Sequence, residues 1–195
     1  MTELILSDEQ TRADVATFVG RALRVDGNGA IRLQAQGMTL ALWVGALSGS
    51  GLVLRNVAVA MRAVALGQPA DLDVVVPLVA IRDRLAREDN GRSLPVPPQE
   101  VVAAWAAMSP PRSGWAAAGE IDPEGLKSAA LQGISRIKAG ESAETVWAEA
   151  LTDAVTKGAA FAAYALGFLG DQPAQVRTAG NWTRLSTAAG HVLTR

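Results

Sequence analysis

The feature that most constrains this fold is a change of hydrophobic period part-way along the chain. Between Ile31 and Val76, apolar residues either recur at every second position or fill both faces, as strands require. Beyond Gln99 they recur mainly every three or four residues, as helices require. Ile31, Leu33 and Ala35 alternate with Arg32, Gln34 and Gln36, which marks a half-buried strand. Gly37 separates it from Met38 to Ala46, a strand apolar on both faces. Ser48-Gly49-Ser50-Gly51 reads as a turn. Leu52 to Leu66 reads as a third strand, although its spacing also suits a helix, and Asp71 to Val76 as a fourth. Strands clustered in sequence, rather than alternating with helices, imply an antiparallel meander of about four strands and an α+β class.

Helices flank that sheet. Ser7 to Leu23 carries a capping box at Ser7 and Gln10, with Val15, Phe18, Val19 and Ala22 on one face. Pro77 suits the first turn of a helix whose inward side is Leu78, Ile81 and Leu85. Asp89 to Pro98 is proline-rich and reads as a linker between a sheet subdomain, 1–90, and a mainly helical one, 98–195, the two packed together either as separate subdomains or as one domain. In the second, Gln99 to Met108 is expected to be a short helix. Asp122 caps another, which has Pro123 at its first position and ends at Gly140. Ser142 opens a third, and Ala159 to Leu169, apolar nearly all round, a central fourth. Gln175 to Thr178, Trp182 to Ser186 and His191 to Thr194 return to strand as a terminal hairpin, which either adds to the first sheet's edge or forms a separate ribbon.

Charge and composition exclude several functions. Eighteen basic residues, fifteen of them Arg, face nineteen acidic ones, so the net charge is −1 and no general attraction to a nucleic acid is expected. With no cysteine there is no disulfide, thiolate nucleophile or thiolate metal site. The first residues lack a basic stretch followed by a long apolar core. The longest apolar run, Gly158 to Leu169, is well short of the ~20 residues that span a bilayer, so no membrane partner and a cytoplasmic location are expected. Hydrophobic residues make up 49% against 19% charged, a balance in which part of the apolar surface is covered by a partner or a second copy.

Motifs of chemistry are sparse. One histidine, His191, rules out the two-histidine zinc-protease helix. Asp71 and Asp73 share a strand face and read as solvent-facing. Asp26-Gly27-Asn28-Gly29 fails the calcium-loop template after its opening and is a turn. There is no nucleophile elbow and no Gly-Lys pair for a phosphate loop. No catalytic residue, cofactor or metal site is therefore assigned. Candidate ligand-binding residues centre on Ser109-Pro110-Pro111-Arg112-Ser113-Gly114-Trp115, a stiff loop in which Arg112 offers a fork of donors, Ser113 a hydroxyl and Trp115 a broad face. The same loop also reads as packing alone. Arg55 and Arg62 interrupt an apolar strand, and Arg184 is expected to converge with Arg177 near Trp182 as a second anion site. The small residues Gly158, Ala162, Ala163, Ala165 and Gly167 suit close helix packing, either inside the molecule or between subunits.

The segments Ser109 to Trp115, Phe161 to Leu169, Trp182-Thr183-Arg184-Leu185-Ser186-Thr187 and Gly190-His191-Val192-Leu193 resemble a conserved, uncharacterised family of cytoplasmic proteins from high-GC Gram-positive bacteria. That resemblance covers most of the chain and implies no mechanism. The leading expectation is a non-catalytic interaction protein acting as a homo-oligomer, such as a homodimer, or as a subunit of an assembly. The alternatives are a small-ligand or anion-binding module, and an enzyme built on Asp, Glu, Arg and Ser.

Overall fold

The computed structural model describes residues 2–50, 55–87 and 91–195, and of 48–50 and 55–56 the backbone alone. The class is α+β, as the strand clustering implies, and the chain forms two compact units, residues 1–44 with 61–106 and residues 45–60 with 107–195.

In the first unit a short strand, β1 (Glu3–Ile5), leads into helix α1 (Glu9–Val25). Asp8, not Ser7, is the cap: its carboxylate accepts from the Thr11 amide at 2.7 Å, and the Ser7 hydroxyl bonds Thr11 Oγ1 instead. A charged acceptor bonds the orphan amides of a first turn more strongly than a hydroxyl does, which decides between two adjacent candidates. Val15, Phe18, Val19 and Ala22 are buried, matching the face read from their spacing. The four strand segments of the sequence are the halves of two long strands, β2 (Ala30–Ser50) and β3 (Arg55–Pro77). Gly37 does not end a strand; it sits inside β2 at φ 57°, a left-handed conformation open to glycine at little cost.

Pro77 then opens α2 (Leu78–Leu85), which buries Leu78, Ile81 and Leu85. Arg12 donates to the carbonyls of Leu85 and Arg87 at 2.7 and 2.6 Å, satisfying carbonyls at the end of this helix. Asp73 accepts two 2.6 Å bonds from Arg32 while Asp71 stays exposed, so the strand face that carries them is polar and paired.

Two readings of the middle of the chain are corrected. The proline-rich stretch is not a free linker: Ser93–Pro95 forms β4, paired antiparallel with β1, and buries Leu94. Residues 99–108 are not a helix apart from the single 3-10 turn Ala104–Ala107. The Val101 amide bonds the Val75 carbonyl at 2.9 Å, which commits that backbone elsewhere.

The second unit contains β5 (Ala116–Ile121), α3 (Pro123–Lys138), α4 (Ala143–Ala148), α5 (Lys157–Ala165), β6 (Ala174–Ala179), β7 (Trp182–Thr187) and β8 (Gly190–Thr194). The sequence leaves open whether the terminal strands extend a larger sheet or form a ribbon of their own. Together with the portions of β2 and β3 that belong to this unit, residues 45–50 and 55–60, they make a six-stranded sheet in the order β2-β3-β8-β7-β6-β5, with β5–β6, β6–β7 and β7–β8 all antiparallel. Asp122 caps α3 through the Glu124 and Gly125 amides, with Pro123 at the first position, as read from sequence. Ser142 marks the start of α4 without a side-chain cap bond.

The small-residue face of α5 is used inside this unit. A Cβ on Gly158 would lie 2.7 Å from Leu47 Cδ1 and 2.9 Å from the Trp147 carbonyl. On the facing helix, Gly133 admits the Trp147 ring, which stacks on Phe161 at 4.6 Å between centroids.

One ion network ties α3 to the segment after α4. Arg136 bonds both Glu141 and Glu149, and Lys157 bonds Glu149 at 2.8 Å. Arg136 first, and Lys157 second, pull the Glu149 carboxyl down to about 2. A carboxyl depressed in the folded state adds stability that is complete above its unfolded value, ~4.5, and disappears as the pH falls through about 2. Urea midpoints should therefore decline below about pH 4.5, and Glu149→Gln should flatten that acid limb while lowering the neutral plateau. An acid limb of unchanged slope in Glu149→Gln would show that the carboxylate is not coupled to folding.

Candidate functional site

The hairpin register of the second unit brings its most distinctive side chains to one sheet face. Val176 pairs Leu185 and Leu185 pairs Val192, and this apolar row is buried. Because strand side chains alternate, the opposite face receives Gln175 and Arg177 from β6, Arg184 and Ser186 from β7, and His191 and Leu193 from β8. Arg177 lies directly opposite Arg184, and Ser186 directly opposite His191.

Trp115 completes this face from the loop ahead of β5. Its indole nitrogen donates to the Pro111 carbonyl at 2.9 Å, which fixes the ring across the proline-stiffened turn. The Arg184 guanidinium lies 4.6 Å from the centre of that ring, a cation–π contact. Arg184 Nε is buried without a hydrogen-bond partner. Burial, then the Arg177 charge, lowers the Arg184 pKa. Among the described residues no carboxylate pairs with Arg177 or Arg184. Glu120, the acid on the adjacent strand, accepts instead from Gln175 at 2.6 Å.

Beside the arginines, His191 Nδ1 and Ser186 Oγ are 2.9 Å apart. Burial first, and Arg184 second, push the His191 pKa below its usual value, so near neutral pH the ring is uncharged. A weakened base whose far nitrogen meets no acid among the described residues is poorly suited to activate a serine. The pair serves better as a hydroxyl of fixed orientation.

The other candidates are dispersed. Arg112 and Ser113 are exposed. Arg62 pairs with Asp14 at 3.0 Å within the first unit. The Arg55 side chain, the side chains of Ser48 and Ser50, and Gly51 lie outside the described residues. A cleft of about 120 Å³, lined in part by Leu47, Val57, Thr156 and Thr183, is smaller than the roughly 300 Å³ at which small-molecule pockets begin. Among the described residues, no group of three His, Asp or Glu is placed to hold a metal, and no helix is long and apolar enough to cross a membrane.

Sequence reading missed β5. This strand ends the six-stranded sheet, and five of its six residues, Ala116 to Glu120, are exposed. A bulge between Ala117 and Gly119, with Gly119 at φ 117°, bends it. No local signal marks it, because alanine runs favour helix.

Residues 1–109 match a family described as "Domain of unknown function (DUF8010)", more than half of the chain. The chain belongs to the DUF8010 family. Residues 110–195 match a second description, "Domain of unknown function (DUF8185)", and the boundary falls within the Ser109–Trp115 loop region. These matches fit the resemblance to an uncharacterised family. No curated protein matches the chain.

Among solved structures, a Caulobacter crescentus pol III beta chain is similar over 100% of this chain and 65% of its own length, with a TM-score of 0.61 at 12% identity. A second structure, the C. crescentus beta sliding clamp with bound PEG, is similar over 99% of this chain and 64% of its own, with a TM-score of 0.58 at 12% identity. This chain thus spans just under two-thirds of those clamp chains. At such identity the likeness is one of fold.

Proposed function

We propose that this DUF8010 member is a non-catalytic, cytoplasmic interaction module with a clamp-like fold, and that it associates with a second copy of itself through β5. The observation that carries the reading is the open edge of the six-stranded sheet. Ala116, Ala117 and Ala118 present backbone with only methyl groups around it. Natural edges are usually guarded by lysine, proline, an inward charge or a bulge. Here the acid on the strand, Glu120, is drawn to Gln175, and the bulge falls after Ala117, so the start of the strand carries neither charge nor proline.

Antiparallel pairing of two such edges about a two-fold axis is self-complementary, and a net charge of −1 gives copies little reason to repel. The bulge limits pairing to a short segment, which favours a closed pair over continued stacking. The clamp likeness supports a protein-interaction role without specifying the partner. The balanced charge favours protein over nucleic acid.

Sedimentation equilibrium should show a concentration-dependent dimer for the wild-type chain. Ala118→Lys, an exposed change that sets like charges against each other across the axis, should be monomeric with an unchanged circular dichroism spectrum. A wild-type monomer at every concentration would overturn the reading, as would a dimer indifferent to Ala118→Lys.

A further inference from the structure

We propose that the sheet face formed by Arg177, Arg184, Ser186 and Trp115 is a binding site for the phosphate group of a small molecule. The site is independent of any pairing through β5. Arg177 and Arg184 are direct cross-strand partners, so their Cβ atoms stand about 4.5–5.5 Å apart. Like charges directly opposite each other destabilise a strand pair, and an anion lying between them would offset that cost. No internal carboxylate plays that part among the described residues.

Arg184 is also held in place. Its guanidinium rests on Trp115, whose ring is in turn fixed to the Pro111 carbonyl, so little side-chain freedom remains to be lost on binding. Its Nε is buried and, among the described residues, without a hydrogen-bond partner, which leaves the terminal nitrogens of the fork to meet a ligand. Ser186, two residues along the same strand face, lies 2.9 Å from His191 Nδ1, and in the tautomer with the proton on Nδ1 it accepts from the ring and keeps its own hydroxyl hydrogen for an anion.

Two guanidinium forks and a hydroxyl suit a tetrahedral dianion better than a single carboxylate, which has too few oxygens to meet them all. The groups around the site are Arg177 on β6, Arg184 on β7, His191 on β8 and Glu120 on β5. With Glu120 engaged by Gln175 and His191 neutral near pH 7, the net local charge is positive.

Isothermal titration calorimetry with inorganic phosphate, glycerol phosphate and acetate tests the proposal. Phosphate should bind saturably and acetate at least about tenfold more weakly, since acetate lacks the further oxygens that the second guanidinium and the hydroxyl would meet. A preference for glycerol phosphate over inorganic phosphate would identify a phosphomonoester as the natural source; the reverse would identify the free ion. Arg184→Gln should weaken phosphate binding about tenfold or more. Arg177→Gln, at an exposed position that leaves the Trp115 stack intact, should do the same even if the Arg184 variant folds poorly. Arg82→Gln removes one positive charge from an exposed pair in the other unit and should leave affinity unchanged. No saturable phosphate binding, acetate binding as tight as phosphate, or equal loss in all three variants would each overturn the assignment.

Discussion

Replacing Gly133 by alanine should destabilise the protein by about 2 kcal/mol, although the same change at Gly20 should stabilise it. Both glycines lie inside helices, α3 and α1, where alanine is normally preferred by about 1 kcal/mol. Around Gly20 an added methyl meets nothing within 4 Å, so the propensity gain stands alone. At Gly133 the methyl would enter the Trp147 ring, with Cη2 only 2.7 Å away. That ring cannot swing aside freely, because it stacks on Phe161 at 4.6 Å and is 7% exposed. Overpacking costs about 1–3 kcal/mol, and a clash this close falls at the upper end, which outweighs the propensity term. Urea denaturation of the two variants, giving midpoints that move in opposite directions, is the expected result. A stabilised Gly133→Ala would mean that α3 and α4 do not pack as described.

Phe18→Ala should cost more, about 3–5 kcal/mol. Phe18 is 1% exposed on the buried stripe of α1, alongside Val15, Val19 and Ala22. Truncation removes the transfer free energy of a whole ring and leaves a cavity that close-packed neighbours fill only in part. A loss of that size is a large share of the roughly 5–15 kcal/mol that separates folded from unfolded domains. Thermal and urea unfolding should both show it, and Phe18→Leu should recover most of the loss. An effect below about 1 kcal/mol would place Phe18 outside the core.

Much of this arrangement was legible in the chain, where the signal is local. The apolar stripe of α1, the Asp122–Pro123 start of α3 and the alternation from Ile31 to Ala35 depend on spacing and capping within a few residues. The three terminal strands, and the meeting of Arg177 with Arg184, follow from a short turn at Gly180, which sits at φ 57°. What remained hidden depends on partners distant in sequence. Glu3 to Ile5 and Ser93 to Pro95 are three-residue strands that exist only because they pair with each other. Ala116 to Ala118 would favour helix in isolation, and β6 supplies the ladder that overrides this preference. The contact of Arg184 with Trp115 joins residues far apart in sequence, and neither position signals it alone.

The β5 edge is the feature on which the proposed role rests, and amide hydrogen exchange reads it residue by residue. The alternation of an antiparallel ladder, interrupted at the bulge, turns about half of the amides between Ala116 and Ile121 toward β6, and these should be protected at any concentration. The other half face outward and should gain protection as protein concentration rises, then lose it in Ala118→Lys. Outward amides that exchange at the same fast rate at every concentration would contradict an edge that pairs with a second copy.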